Sequence, residues 1–288
     1  MFAELPSVVP HDHPTLHEPA VRTVDQLVEA VRTGTYGPDP ARERIALAFT
    51  TAQAVRTPAA AADTATRCSA CASTLPSDPA PWSRAPCPRR HSTTVSEPRW
   101  PNSSATRCFP CGVAALDAYL SHVRPHTPDH GARPYTLPAG SSLHRSRARA
   151  RAVVDLLPAT GIRRVLVIGV VNSLLEQLRA RGLEYVPCDL KGGTTEWGEP
   201  VRTDALAELE HCDAVLASGM TLGNGSFQPL LDHAAATGDP LVMFAQTGSA
   251  VLPCFLGAGV SAVSAEPYPF FWLDGGPGVI HRYGGSTR

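Results

Sequence analysis

Four short apolar runs decide the fold of this chain: 165-VLVIGV-170, 184-EYVPCD-189, 213-DAVLASG-219 and 240-PLVMFAQ-246. Amphipathic stretches separate them, with the sequences 172-NSLLEQLRARG-182, 202-RTDALAELEHC-212 and 227-FQPLLDHAAATG-238. Continuous apolar strands that alternate with helices of about ten residues indicate a parallel sheet with helices on both faces. The sequence therefore predicts an α/β protein.

The composition limits the classes of partner. The chain has 288 residues, a formal net charge of −1 and no apolar run of membrane-spanning length, so we expect neither nucleic acid nor a membrane as partner. The first residues lack the basic and apolar segments of a secretory signal, which predicts a cytoplasmic location. Lys191 is the only lysine among 25 basic residues. This usage is typical of a GC-rich genome such as an actinomycete's.

The chain divides into four segments. Residues 1–20 are rich in proline and histidine and predict a flexible arm, and residues 21–56 predict a small N-terminal α+β lobe. Residues 57–111 contain one Leu, one Val and one Phe, with no Ile, Met or Tyr. They predict a poorly ordered Cys/Pro-rich insert, because so few apolar side chains cannot offset the entropy lost on ordering. Residues 112–288 regain regular patterning and predict the main domain.

The insert carries two CxxC pairs, formed by Cys68, Cys71, Cys108 and Cys111. Two such pairs supply four thiolates to a tetrahedral zinc, to another transition metal or to an iron–sulfur cluster. Cys87 and His91 would be spare ligands. The same composition also suits a disordered segment or an out-of-frame reading of a GC-rich gene, so both interpretations stay open. Disulfides are not expected in a reducing cytoplasm.

Glycines and polar residues follow each of the four runs. In parallel sheets ligands bind beyond the carboxyl ends of the strands, so these residues are candidates for ligand binding. They are Gly169, Asn172, Ser173, Asp189, Lys191, Gly219, Thr221, Asn224, Gly225, Thr247, Gly248 and Ser249.

Several of these candidates have a second interpretation. The first turn keeps only Gly169 of a GxGxxG pattern, which disfavours an ordinary dinucleotide or methyl-donor site but leaves a helix N-terminus for a small anion. Asp189 suits a ribose hydroxyl or the cap of its own turn. Lys191 suits an anion, an imine or plain solvent exposure. The loop 218–226 suits close approach of a ligand or a tight turn before a capped helix.

A helix is predicted over residues 143–157, with Ser141 or Ser142 as its N-cap. Its alternate arginines are Arg145, Arg147, Arg149 and Arg151. Alternate residues spread around a helix, so we expect them to form mostly a solvated face, with His144 and Arg145 near the carboxyl ends of the strands. The glycine-rich tail is expected to loop back over the sheet or to fray.

Residues 213–265 carry a distinctive set of positions: Gly219, Thr221, Asn224 and Gly225, then Gly248, Ser249 and Pro253, and the strand entry Gly259–Val260. In these positions the segment resembles a Rossmann-like putative heavy-metal-chelation family, a domain of unknown function often preceded by a small enolase-N-terminal-like domain. The resemblance covers residues 112–266 well, residues 21–56 loosely and residues 57–111 not at all. It implies a Rossmann-like sheet and the handling of a metal or a metal complex.

We therefore expect a small anionic metabolite or a metal chelate to bind at the carboxyl edge, in metal homeostasis or in a metallophore or natural-product pathway. Two alternatives remain. One is an enzyme acting on an amino-acid-like substrate; its candidate residues are Asp189, Lys191, Thr221 and Asn224. The other is a zinc-knuckle interaction protein. The cofactor, with zinc or another transition metal as a candidate, and association into a homo-oligomer stay open.

Overall fold

A computed structural model of the chain describes residues 21–43, 45–55, 64–73, 109–266 and 275–285, with the backbone alone for 45–55, 64–73 and 109–111. Strands β1 (Ile45–Val55) and β2 (Thr64–Ser73) form a two-stranded antiparallel sheet. The strand β2 lies inside the segment expected to be poorly ordered. In the described residues, no helix has both the length and the apolarity that crossing a membrane requires.

Among the described residues, the main sheet has seven strands: β3 (Arg133–Leu137), β4 (Arg164–Ile168), β5 (Glu184–Cys188), β6 (Ala214–Ser218), β7 (Leu241–Ala245), β8 (Val260–Ala265) and β9 (Gly278–Gly284). Their order is β3-β9-β8-β7-β6-β4-β5. The four predicted runs are β4, β5, β6 and β7, and together with β8 they are mutually parallel. The predicted α/β class is confirmed.

One strand next to the sheet edge makes the sheet mixed rather than purely parallel. The glycine-rich tail, expected to loop or fray, instead forms β9, which pairs antiparallel with both β8 and β3. Ile280 and Tyr283 of β9 are buried, and they lie in two different apolar clusters. Short strands of this kind carry little signal when glycine surrounds them, because glycine weakens strand propensity.

In the part of the chain that the structure describes, six α-helices flank the strands: α1 (Val24–Arg32), α2 (Phe109–Val123), α3 (Ser142–Val154), α4 (Asn172–Ala180), α5 (Met220–Asn224) and α6 (Phe227–Thr237). The Ser141 hydroxyl caps α3 by accepting from the His144 N–H at 3.2 Å. Between β5 and β6 the predicted helix is reduced to a 3₁₀ turn, Leu206–His211. A second 3₁₀ turn, Leu252–Phe255, lies between β7 and β8.

The helices divide between two apolar layers. Helices α3 and α4 pack on one face of the sheet, where Val153, Leu174 and Leu178 are buried. Helices α1, α2 and α6 pack on the other face. Leu27 of α1 lies in the same core as strand residues such as Leu166, so α1 of the expected N-terminal lobe shares the core of the main domain.

Candidate ligand-binding edge

The strand order predicts the position of a crevice at the carboxyl edge of the sheet. The first parallel strand, β4, lies between β5 and β6, so the chain leaves β4 toward one side for β5 and returns to the other side for β6. Ligands of doubly wound sheets bind at such a switch point, because the connections diverge there and leave a gap. We call this gap the β4–β6 crevice; its residues are Gly169, Asn172, Ser173, Ser218, Gly219 and Met220.

The N-terminus of α4 lies at this crevice and has no side-chain cap. Its N-cap residue, Val171, makes no side-chain hydrogen bond to the first turn. The first N–H groups of a helix have no partner within the helix, and here they belong to Asn172 and Ser173. The Ser173 hydroxyl lies 3.0 Å from the Ser146 hydroxyl, so the N-terminal halves of α3 and α4 meet at this edge.

Close packing at this edge requires glycine at two of the predicted positions. A Cβ on Gly169 would lie 2.7 Å from Cβ of Ser218, and its φ is +87°. A Cβ on Gly248 would lie 2.7 Å from Leu222, at a φ of +89°. Both positions therefore need glycine for packing between neighbouring strand ends, whether or not a ligand approaches.

The polar side chains of the second and third strand ends engage their own loops. The Asp189 carboxylate accepts from the Lys191 N–H at 3.0 Å, and the side chain of Lys191 is exposed. Asn224 Oδ1 accepts from the N–H of Ser226 at 3.0 Å and from its hydroxyl at 2.6 Å. The buried Thr221 hydroxyl donates to the Ser218 carbonyl at 2.9 Å. The turn and cap interpretations therefore account for these contacts.

The remaining predicted residues lie along the same edge. Gly219 follows β6 and Gly225 ends α5 in the left-handed conformation. Thr247 and Ser249 follow β7, and Ser249 is buried. The structure thus brings the twelve candidates to one edge, but it divides them among the β4–β6 crevice, the end of β5, helix α5 and the end of β7.

Ser249 belongs to a polar cluster that the sequence did not reveal. We call it the Ser249 cluster; its members are Asp117, His126, Ser249, His281 and Tyr283. His126 Nε2 lies 3.4 Å from the Ser249 hydroxyl, and His126 Nδ1 lies 2.7 Å from the Tyr283 hydroxyl. The His281 ring lies beside that of His126, with centroids 5.2 Å apart.

Burial gives both histidines of the Ser249 cluster an unusual electrostatic state. Desolvation, together with a smaller contribution from the neighbouring His281, lowers the pKa of His126 to about 4. Desolvation also lowers the pKa of His281 and raises the pKa of Tyr283 to about 12. At neutral pH both imidazoles are therefore uncharged and the phenol keeps its proton.

Asp117 holds the backbone of the loop that carries Ser249. Its carboxylate accepts from the Ala250 N–H at 2.7 Å, with further backbone hydrogen bonds from Gly248 and Val251. Desolvation raises the pKa of Asp117 to about 6, and these backbone hydrogen bonds oppose the rise. Backbone N–H donors surround the carboxylate, and no cation contributes to the change in its pKa.

A second buried carboxylate lies on the opposite face of the sheet. Glu266, directly after β8, accepts from Arg149 Nε of α3 at 2.7 Å, and their side chains are 0% and 8% exposed. The Arg149 guanidinium lies over the Phe244 ring at 4.9 Å. Desolvation raises the pKa of Glu266, although Arg149 opposes the rise.

The expectation of a solvated arginine face on α3 was wrong for two residues. Arg145 and Arg149 are buried, with relative exposures of 2% and 6%. They are four residues apart and therefore share one helix face, which continues to the buried Ala152 and Val153 and turns toward the sheet. That i, i+4 spacing was the signal in the sequence.

The predicted zinc knuckle lies largely outside what the structure describes. Cys108 is not among the described residues, and the side chains of Cys68, Cys71 and Cys111 are not described. The same holds for the spare ligands Cys87 and His91. Over the described ranges, no three His, Cys, Asp or Glu side chains are arranged to hold a metal ion. The cysteine site stays a prediction.

Residues 152–265 match the DUF364 family, described as putative heavy-metal chelation. This match confirms the family resemblance over those residues. A solved DUF364 protein of unknown function from Pyrococcus horikoshii is similar at 17% identity and a TM-score of 0.45, over 75% of this chain and 83% of that chain. Another, from Desulfitobacterium hafniense DCB-2, has 14% identity and a TM-score of 0.40, over 60% and 66%. The curated proteins gave no match.

Proposed function

We propose that this protein binds a small anionic ligand, either a metabolite or a metal chelate, at the β4–β6 crevice. The observation that carries the proposal is the N-terminus of α4, which opens without a side-chain cap at the switch point of the sheet. A helix N-terminus carries roughly half a positive charge and presents free N–H donors, so it favours an anion.

The surroundings of the crevice suit a ligand with an apolar part. Three large apolar side chains are exposed near this edge: Met220 (47%) beside the Gly169 turn, Leu143 (58%) in the first turn of α3, and Leu190 (69%) after β5. Small-molecule sites are lined mainly by apolar side chains with a few polar groups, and these three side chains would supply the apolar part. The family description of heavy-metal chelation supports a chelate as the anion.

Thermal unfolding with simple probes tests the proposal. Inorganic phosphate, citrate and nickel citrate are added separately, and the melting temperature is recorded. A ligand at about 100 times its Kd stabilises the folded state by about 2.7 kcal/mol. A rise with nickel citrate alone identifies the chelate, whereas a rise with phosphate or citrate identifies a simple anion.

The decisive variant is Asn172→Asp, with Gln177→Glu as its matched control. Both substitutions add one negative charge to α4, but only the first places it at the N-terminus. Asn172→Asp should stabilise the unliganded protein by about 0.3–1 kcal/mol through the helix dipole while abolishing the probe-induced shift. Gln177→Glu should keep the shift. An unchanged shift in Asn172→Asp would show that the anion binds elsewhere.

The amino-acid enzyme alternative has less support. Its candidate side chains Asp189, Thr221 and Asn224 are already engaged by backbone groups of their own loops or, for Asn224, by Ser226 as well. Loss of an activity on an amino acid in Lys191→Ala would be its direct test.

A further inference from the structure

We propose that Ser249 is the nucleophile of an acyl-transfer site in which His126 acts as general base, with small carboxylic esters as substrates. This site is distinct from the β4–β6 crevice, so the inference goes beyond the proposed function and does not depend on it. It rests on the arrangement of four side chains of the Ser249 cluster.

The first element is the contact between nucleophile and base. His126 Nε2 lies 3.4 Å from the Ser249 hydroxyl. Contacts of this kind are commonly loose without substrate and shorten in the reacting complex. Ser249 is 6% exposed whereas His126 is only half-buried, so a substrate would reach the hydroxyl from the side of the imidazole. Because the hydroxyl is this deeply buried, we propose that short acyl groups are the substrates.

The second element orients the base. His126 Nδ1 lies 2.7 Å from the Tyr283 hydroxyl oxygen, which is buried with its residue. When Nδ1 carries the hydrogen and donates it to the Tyr283 oxygen, the lone pair of Nε2 faces Ser249. A base whose other nitrogen is held by a third group is the usual arrangement in nucleophilic catalysis, where the third group fixes the tautomer. Tyr283 is thus a positioning residue.

The third element is a donor for the developing oxyanion. Across the described residues, the buried Nδ1 of His281 has no hydrogen-bond partner. Leaving a buried polar atom unsatisfied costs about 1–3 kcal/mol, so such an atom in a stable fold points to a group that completes it. The neutral His281 imidazole with its hydrogen on Nδ1 offers a donor 5.2 Å, ring to ring, from the proposed base. An ester carbonyl oxygen would accept from it.

These groups account for each bond change in ester hydrolysis. The Ser249 oxygen attacks the carbonyl carbon while its proton passes to His126 Nε2, and His281 Nδ1–H donates to the oxyanion. The carbon–oxygen bond to the alcohol then breaks, and the alcohol leaves with the proton from His126. Water repeats the sequence on the acyl-Ser249 ester, which releases the carboxylic acid and restores the hydroxyl. Asp117 takes no proton in these steps, since it holds the Ser249 loop through backbone N–H groups.

The test uses the full chain and a small alkyl fluorophosphonate, which forms a phosphorus–oxygen bond to an activated serine and releases fluoride. Peptide mass spectrometry should find the label on Ser249. Ser249→Ala should lose it, and His126→Asn should slow labelling by about 100-fold or more, as expected for loss of a general base. Asn keeps a polar atom near the Tyr283 hydroxyl, so this variant limits structural change. Thermal unfolding and circular dichroism check that each variant is folded.

The matched control is Ser226→Ala, which removes a serine at the same edge whose hydroxyl donates to Asn224. It should leave labelling of Ser249 unchanged. Tyr283→Phe should slow labelling and lower the midpoint of its pH dependence. Removing the acceptor of the Nδ1–H destabilises the charged imidazolium of His126 more than the neutral imidazole, so the pKa of His126 falls. The titratable and charged groups around this pair are His281 beside His126, Arg124 and Cys254 beside Tyr283, and Asp117 at the Ser249 loop.

Two results would overturn the proposal. One is the absence of label on Ser249 in the folded wild-type chain. The other is labelling of Ser249 at the wild-type rate in folded His126→Asn. Hydrolysis of p-nitrophenyl acetate that requires both Ser249 and His126 would extend the result from labelling to turnover.

Discussion

Two buried carboxylates at the carboxyl edge of the sheet are stabilised in different ways. Glu266 faces α3 and pairs with Arg149, whereas Asp117 faces the other layer and accepts from backbone N–H groups of the Ser249 loop. Desolvation raises the pKa of both. The comparison indicates that a formal ion pair and a ring of backbone donors can each hold a buried carboxylate. They should differ in what happens when a partner or a proton is removed.

The largest effect is expected from breaking the ion pair. Arg149→Met leaves Glu266 buried without its cation and should lower the free energy of unfolding by about 3–5 kcal/mol. The control is Arg147→Met on the same helix, whose 2.9 Å pair with Glu176 is 51% and 35% exposed and should matter by less than about 1 kcal/mol. Urea denaturation measures both. Equal losses would mean that burial of the Arg149–Glu266 pair is irrelevant to its contribution.

A smaller and pH-dependent effect is expected at Asp117. Its pKa is about 6 when folded against an ordinary value of 3.8, so the folded protein binds the proton more tightly. The stability linked to this group is fully present below pH 3.8 and is lost as the pH rises through 6. At 1.36 kcal/mol per pH unit, the difference between these two values corresponds to about 3 kcal/mol.

The variant Asp117→Asn should remove this pH dependence. Near pH 4.5 the wild-type carboxyl is protonated, and the variant should cost about 1–3 kcal/mol, since an amide replaces a carboxyl that accepts several N–H groups. As the pH rises to 8 the wild type loses stability and the variant does not, so this cost should shrink or change sign. Denaturation curves collected between pH 4.5 and 8 measure this. A constant difference across that range would contradict the raised pKa.

His126 should act in the opposite direction over nearly the same pH range. Its pKa falls from 6.5 to about 4 on folding, so the stability it contributes is present above pH 6.5 and is lost as the pH falls through 4. In the wild type the two slopes partly cancel. Stability should therefore fall with decreasing pH in Asp117→Asn and rise in His126→Asn. Two slopes of the same sign would show that one of the assignments is wrong.

The smallest effects are expected at the half-exposed and exposed polar groups of the same edge. Asp189 is a third carboxylate at this edge, and its hydrogen bond with the Lys191 N–H lies near solvent. Asn224 makes two contacts with Ser226. Asn224→Ala should cost about 1 kcal/mol, as for a lost cap, and Asp189→Ala less. Both should weaken the ligand-induced thermal shift if the ligand contacts these loops. Unchanged shifts in both variants would confine the ligand to the α4 N-terminus.

The local patterns of the chain were enough to predict most of the scaffold. Strands β4 to β7 were read from apolar runs, because a buried parallel strand is apolar on both faces. The N-cap at Ser141 was one of two predicted, because capping depends on a short-range hydrogen bond. The β9 strand was missed, since its partners β3 and β8 lie elsewhere in the sequence.

The sequence by itself determined which residues follow the strands, including Gly169, Asn172 and Ser249, since hydrophobic periodicity and turn-forming residues are local properties of the sequence. Only the tertiary structure decided which side chains meet there. Ser249 and His126 are 123 residues apart, His126 and Tyr283 are 157 apart, and Arg149 and Glu266 are 117 apart. The physical reason is that periodicity reports whether a residue is buried, whereas its partner depends on strand order and on how the helices pack across the sheet.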